Sequence, residues 1–181
     1  MTTASQPLHQ AEPIESKTLR NVCGLFVTGV TVITAGEGAR SAGTTVNSFT
    51  SVSLDPPLIL FCLHKESRLR TVLQETRTFV VNFLAGKQAP LAWTFATRDT
   101  AALQDVTHHR SAEGAPILSD AMAFLACRVA NEFEGGDHTI FVGEVVELGV
   151  PRQNQEPLIF FRGSLSALEE ELAGLHPIWD G

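Results

Sequence analysis

The sequence contains no tyrosine, two methionines, two tryptophans and three cysteines in 181 residues. The missing tyrosine removes the phenol as a catalytic acid. Cys23, Cys62 and Cys127 lie far apart, without a CxxC pair, and an odd number of thiols cannot close a full set of disulfides. Each sits in an apolar stretch, so all three are expected to be small buried core residues, in a chain that works in the reducing cytoplasm. Charge is also scarce, at 18% of residues, with 13 Lys and Arg against 20 Asp and Glu for a net charge of −7. That balance lacks the basic footprint of a nucleic-acid binder. It also means that an anionic ligand must be held by a local positive patch.

Several signatures are missing as well. No apolar run approaches the roughly 20 residues that cross a bilayer. Residues 1–13 have no apolar h-region of a secretory signal. Neither nucleic acid nor membrane is therefore expected as a partner. There is no GxGxxG to open a dinucleotide fold and no GxSxG nucleophile elbow. No spacing suggests a metal site, because the adjacent His108 and His109 do not converge easily on one ion.

What remains is 44% hydrophobic, enough for the core of one domain. Residues 1–14 read as a flexible leader, 15–165 as the domain and 166–181 as a C-terminal helix or tail. Spacing of Leu19, Val22, Cys23 and Phe26 predicts a helix over 16–26, stopped by Gly29. Residues 30–34 and 41–46 read as a hairpin around Gly36-Glu37-Gly38. The run 58–63 is almost continuously apolar and predicts a strand buried on both faces. Helices are expected over 68–75 and 88–96 and strands over 78–84, 123–133, 139–150 and 157–162. Residues 97–119 read as a long excursion. Ser166 followed by Glu169 reads as a capping box for a last helix. About seven strands without βαβ alternation predict a mainly β, antiparallel barrel or sandwich with flanking helices.

Four segments can carry chemistry. In residues 43–57, seven of fifteen are Thr, Ser or Asn beside nearly pure hydrocarbon strands. Such residues satisfy turns, but the mixture also suits the polar edge and apolar face of a flat heterocycle. His64-Lys65-Glu66-Ser67-Arg68 joins a buried strand to a helix. Helix N-termini favour anions, and Lys65, Ser67 and Arg68 add donors for a phosphate. Gly135-Gly136-Asp137-His138 permits close approach of a ligand to the backbone. Arg162 ends an apolar strand and can pair with a surface carboxylate or meet a second anion at a cleft mouth.

In order, these segments resemble the short-chain flavin reductase family, the reductase components of two-component flavin-dependent monooxygenases. The matching pieces are residues 26–34, 44–57, Ser67-Arg68, Asn82-Phe83-Leu84, Phe95-Ala96, 136–145 and 157–163. The resemblance implies a flavin-binding split barrel of antiparallel, Greek-key-like strands, and a homodimer. It implies hydride transfer from NADH or NADPH to FMN or FAD, with the reduced flavin supplied to a separate monooxygenase. By position, Thr45, Val46, Asn47, Ser48 and Thr50 would line the isoalloxazine and ribityl chain. Lys65, Ser67 and Arg68 would hold the phosphate, helped by Phe95, Thr97 and Arg98. Gly136, Asp137, His138 and Arg162 would face the nicotinamide nucleotide, with His138 the catalytic candidate. The alternatives are a tightly held prosthetic FMN that reduces another acceptor, and a non-catalytic flavin-binding module.

Overall fold

Helix α1 (Ser16–Cys23) opens the described part of the chain, which in this computed structural model comprises residues 13–97, 103–152 and 154–168. It ends three residues earlier than the apolar spacing suggests. The Gly24 N–H bonds back to Arg20, and the Leu25 and Phe26 N–H groups tighten onto Val22 and Cys23. None of the helix is buried, and Cys23 is exposed, against the expectation of a core thiol.

Strands β1 (Thr28–Gly29), β2 (Thr31–Ala35) and β3 (Ala42–Val46) follow. The β2–β3 hairpin forms as expected, with Gly36 and Gly38 at φ 82° and 54°, where side chains with a Cβ are disfavoured. Next come β4 (Thr50–Leu54), β5 (Pro57–His64), helix α2 (Arg68–Thr76), β6 (Thr78–Phe83) and helix α3 (Ala89–Ala96). The chain continues through β7 (His108–Arg110), β8 (Pro116–Leu118), β9 (Ala123–Gly135), β10 (His138–Gly149), β11 (Leu158–Phe161) and β12 (Ser164–Ala167).

Every pairing is antiparallel. Seven strands form one sheet in the order β3-β2-β6-β9-β10-β5-β4, and β1, β11 and β12 form a second. The fold class is the expected one, mainly β with flanking helices. No ladder closes the main sheet among the described residues. Its inner face nonetheless wraps one core, in which Phe61 packs edge-on to Phe79 and stacks on Phe141 at centroid distances of 5.0 and 5.5 Å. Burying each such ring contributes roughly 1.5–3 kcal/mol. A second core holds Val30, Val32, Leu84, Phe95 and Leu158 between the sheet and α3.

Three local expectations change. In β5 only Ile59, Phe61 and Leu63 are buried, whereas Leu58, Leu60 and Cys62 are half-covered, so the strand alternates. Residues 97–119 are not simply a loop: β7 and β8 form a hairpin whose Ile117 and Leu118 are buried. The buried Asn82 ties that hairpin in. Its amide donates to Val32 O and Thr34 Oγ1, each at 3.0 Å, and accepts the Leu118 N–H at 2.8 Å. Ser166 is not a helix cap; it lies in β12, paired with Ile159. The expected last helix falls outside the described residues.

Candidate flavin site

Helix α3 lies against β3, and the contact is polar at two points. Thr45 Oγ1 donates to Ala92 O at 2.7 Å, and Thr44 Oγ1 donates to Phe95 O at 3.4 Å. Between them, Gly43 leaves room for the Phe95 ring; a Cβ there would stand 2.7 Å from Phe95 Cε1. Phe95 is therefore core, 2% exposed, and not a surface for a ligand. The seam between α3 and β3 separates two recesses that share Ala96 as a wall.

The first recess, of about 390 Å³, is lined by Thr44, His64, Glu66, Ser67, Arg68 and Thr97 among others. It sits at the start of α2. Ser67 is the N-cap in extended conformation, yet its hydroxyl makes no cap bond. Arg68 is exposed and holds no carboxylate among the described residues. An uncommitted hydroxyl, an uncommitted guanidinium and a helix N-terminus form a donor set that fits a phosphate monoester. Lys65 points elsewhere, 3.9 Å from Glu134. Thr97 Oγ1 donates to Thr94 O at 2.8 Å and closes the end of α3. Arg98 lies outside the described residues.

The second recess, of about 160 Å³, is mostly apolar. Val30, Val46, Trp93, Phe160 and Leu165 line it, with Thr45 and Asn47 on its rim. Trp93 is 56% exposed, a large apolar plane left to solvent. Asn47 Nδ2 donates to Thr28 Oγ1 at 3.2 Å. The structure thus brings Thr45, Val46 and Asn47 together and leaves two predicted neighbours out. Thr50 is exposed at the start of β4, opposite Leu60. The Ser48 hydroxyl is engaged by the Cys62 backbone, at 3.0 Å to its N–H and 3.3 Å to its C=O.

The predicted nicotinamide set is divided. His138 Nδ1 lies 2.7 Å from Asp137 Oδ1, and the His138 ring packs edge-on to His64, with centroids 5.3 Å apart. The His138 ring holds the Asp137 carboxyl below the usual range, by its hydrogen bond and then by its charge. His64 Nδ1 accepts the Glu66 N–H at 3.2 Å. These groups stand beside the phosphate-like recess. Gly136, at φ 69°, forms the turn before them. Arg162 is elsewhere, in a groove against α1. His64, Trp93 and Phe160 were not singled out from the sequence. His64 opens the basic segment, in which Lys65 and Arg68 carry the charge. Trp93 and Phe160 read as ordinary apolar residues of a helix and a strand.

Residues 23–169 match the flavin reductase like domain. The chain belongs to the flavin reductase family. It is 40% identical over 152 residues to the reductase component of 4-nitrophenol 4-monooxygenase/4-nitrocatechol 2-monooxygenase of Rhodococcus opacus, covering 84% of this chain and 80% of that protein. Nitrilotriacetate monooxygenase component B from Mycobacterium thermoresistibile has a similar structure, with a TM-score of 0.84 and 35% identity over 91% of this chain and 92% of that one. The NADH:FAD oxidoreductase of Streptomyces globisporus, solved with NAD and FAD fragments, gives a TM-score of 0.81 and 39% identity over 89% and 99%. In this flavin reductase fold, the donor-rich recess fits the phosphate end of a flavin nucleotide. The apolar recess beside it fits the face of a flat ring.

Proposed function

We propose that this chain is a flavin reductase that passes hydride from NADH or NADPH to FMN or FAD and supplies the reduced flavin to a separate flavin-dependent monooxygenase. The observation that carries the proposal is the pair of adjoining recesses, one with uncommitted phosphate donors at Ser67 and Arg68, the other apolar with an amide and hydroxyl rim. The nicotinamide ring supplies the hydride and the flavin ring accepts it, so the protein has to supply stacking, distance and exclusion of water. Thr45, Val46 and Asn47 border the ring, Ser67, Arg68 and Thr97 the phosphate. His138, held by Asp137, meets the nicotinamide head. Its relative from Rhodococcus opacus, named as a reductase component, supports an oxygenase partner.

Two further features belong to this proposal. The chain works as a homodimer, because Leu19, Val22 and Phe26 present an uncovered apolar stripe on and just after α1. It works in the cytoplasm, where its three unpaired thiols stay reduced.

The test is NADH oxidation by the purified chain with and without added FMN or FAD. Oxidation that depends on added flavin, by a protein purified colourless, is the expected result. A yellow protein whose rate ignores added flavin would instead favour a prosthetic group. No oxidation with any flavin and either nicotinamide nucleotide would leave only a binding module.

A further inference from the structure

His64 ends β5 and lines the donor-rich recess together with Glu66, Ser67 and Arg68. Three successive N–H groups lead from it into α2. Lys65 donates to Asp137 O at 3.0 Å and Ser67 to His64 O at 2.8 Å, both backbone acceptors. The Glu66 N–H differs, because it is held by a side chain, His64 Nδ1, at 3.2 Å. An imidazolium carries a proton on each ring nitrogen and accepts no hydrogen bond. The His64–Glu66 bond therefore exists only while the ring is neutral. Protonation does two things at once: it places a positive charge on the recess wall, and it frees the N–H of Glu66 on the same wall. Both changes favour a phosphate.

The other charged groups around the ring are accounted for. Arg68 and Glu66 line the recess with it, and Lys65 turns away to Glu134 at 3.9 Å. Arg70 of α2 is engaged by Thr139 Oγ1 at 3.0 Å. From β10 the His138 ring packs edge-on, with centroids 5.3 Å apart, and Asp137 is bonded to His138. The Asp137 carboxyl is lowered first by that bond, then by the His138 charge, and least by the charge of His64. A carboxylate thus stands within reach of a charged His64. We propose that His64 is a proton-linked latch of the phosphate recess: the neutral ring ties down the Glu66 N–H, and the phosphate of the flavin nucleotide binds together with one proton from solvent, which turns the ring into a donor and frees that N–H. The proposal rests on the reductase reading above and adds to it a control by pH over how firmly flavin is held. A site that takes up a proton with its ligand binds more weakly as pH rises through the range where the free ring loses that proton. Imidazole is the side chain that changes charge in the neutral range, and a phosphate monoester is close to doubly charged above about pH 6.

The experiment titrates FMN and riboflavin into the full chain, read by flavin fluorescence, between about pH 6.5 and 8.5, above the second ionisation of the phosphate. The Kd for FMN should rise about three- to tenfold across that window, the size of one charge-assisted contact. The Kd for riboflavin, which has no phosphate, should stay within about twofold. In His64→Gln, whose amide takes up no proton, the FMN profile should be flat. His64→Lys stays charged throughout, so its profile should also be flat, with tighter FMN binding at the alkaline end than in His64→Gln. Calorimetry of the wild-type chain in two buffers of different ionisation heat should show proton uptake with FMN and none with riboflavin. A slope shared by both flavins, or one that survives His64→Gln, would overturn the proposal. A slope that instead vanishes in His138→Gln would give the proton to His138. FMN binding that is tighter than riboflavin binding but indifferent to pH would remove the latch and leave the reductase reading standing. No FMN binding at any pH would overturn both.

Discussion

Ser48, in the connection between β3 and β4, joins that connection to Cys62 in β5. The Ser48 hydroxyl accepts the Cys62 N–H and donates to the Cys62 C=O, at 3.0 and 3.3 Å. One side chain thereby does at the edge of β5 what a neighbouring strand's backbone would do. It bridges the β3–β4 connection to the strand that β3 does not reach. Burial pushes the Cys62 thiol up, an effect that its contact with Ser48 partly offsets.

Ser48→Ala should act on stability before it acts on flavin. Leaving both Cys62 backbone groups without this partner costs about 1–2 kcal/mol, which lowers Tm by roughly 2–8 °C in a domain of this size. Thermal unfolding and FMN titration of the same variant give the answer. A tenfold loss of FMN affinity at unchanged Tm would return Ser48 to the site.

Arg68→Ala should weaken FMN binding by about 1–2 kcal/mol, since the guanidinium is exposed and partly screened. Riboflavin lacks the phosphate, so its affinity should hardly change. Titrating both flavins into the variant checks the assignment, because equal losses would mean that Arg68 does not read the phosphate.

His138→Ala should raise the KM for NADH and for a phosphate-free nicotinamide alike, because His138 is assigned to the head of the molecule and not to its tail. The same variant has a spectroscopic signature. With the His138 ring removed, the Asp137 carboxyl should return to the ordinary carboxylate range from its lowered value. A folded-state value below the unfolded one contributes stability that is present above the unfolded pKa and is lost as pH falls through the lowered folded value. Carboxyl-carbon NMR titration of wild type and variant should show the wild-type midpoint at lower pH. Coincident midpoints would break the pair.

Val22→Glu with Phe26→Glu should convert the dimer into a monomer by placing charge on the uncovered stripe of α1. Light scattering at micromolar concentration reads the mass directly. A wild-type monomer would remove the dimer proposal, and a dimeric double variant would move its interface elsewhere.

Much of the site was legible because its chemistry is local. Ser67 and Arg68 follow an apolar strand and open a helix, and that order alone puts free N–H groups, a hydroxyl and a guanidinium in one place. Thr45, Val46 and Asn47 stood out as polar residues at the end of an apolar hairpin. Ser48, Thr50 and Phe95 were equally plausible by composition. Their roles depend on groups 10 to 52 residues away in sequence: Cys62 for Ser48, Leu60 for Thr50 and Gly43 for Phe95. No local pattern reveals which hydroxyl is engaged by a distant carbonyl.

By itself the sequence determined most strands of the main sheet, because alternation and β-branching are properties of neighbouring residues. It determined the antiparallel class, because no helix-sized crossover separates most of the strands. It also determined that Ser67 and Arg68 open α2. Only the tertiary structure decided the rest. The hairpin of β7 and β8 exists where it does because Asn82, buried in β6, needs partners and finds one in Leu118, 36 residues away. His64 and His138 meet only because β5 and β10 pair in one register, which sets them directly opposite each other. Arg162 and His138, 24 residues apart in the chain, end up on different sheets, Arg162 after β11 and His138 at the start of β10. Long-range pairing selects among locally equivalent side chains by satisfying buried polar groups, and that selection is a property of the fold and not of any segment.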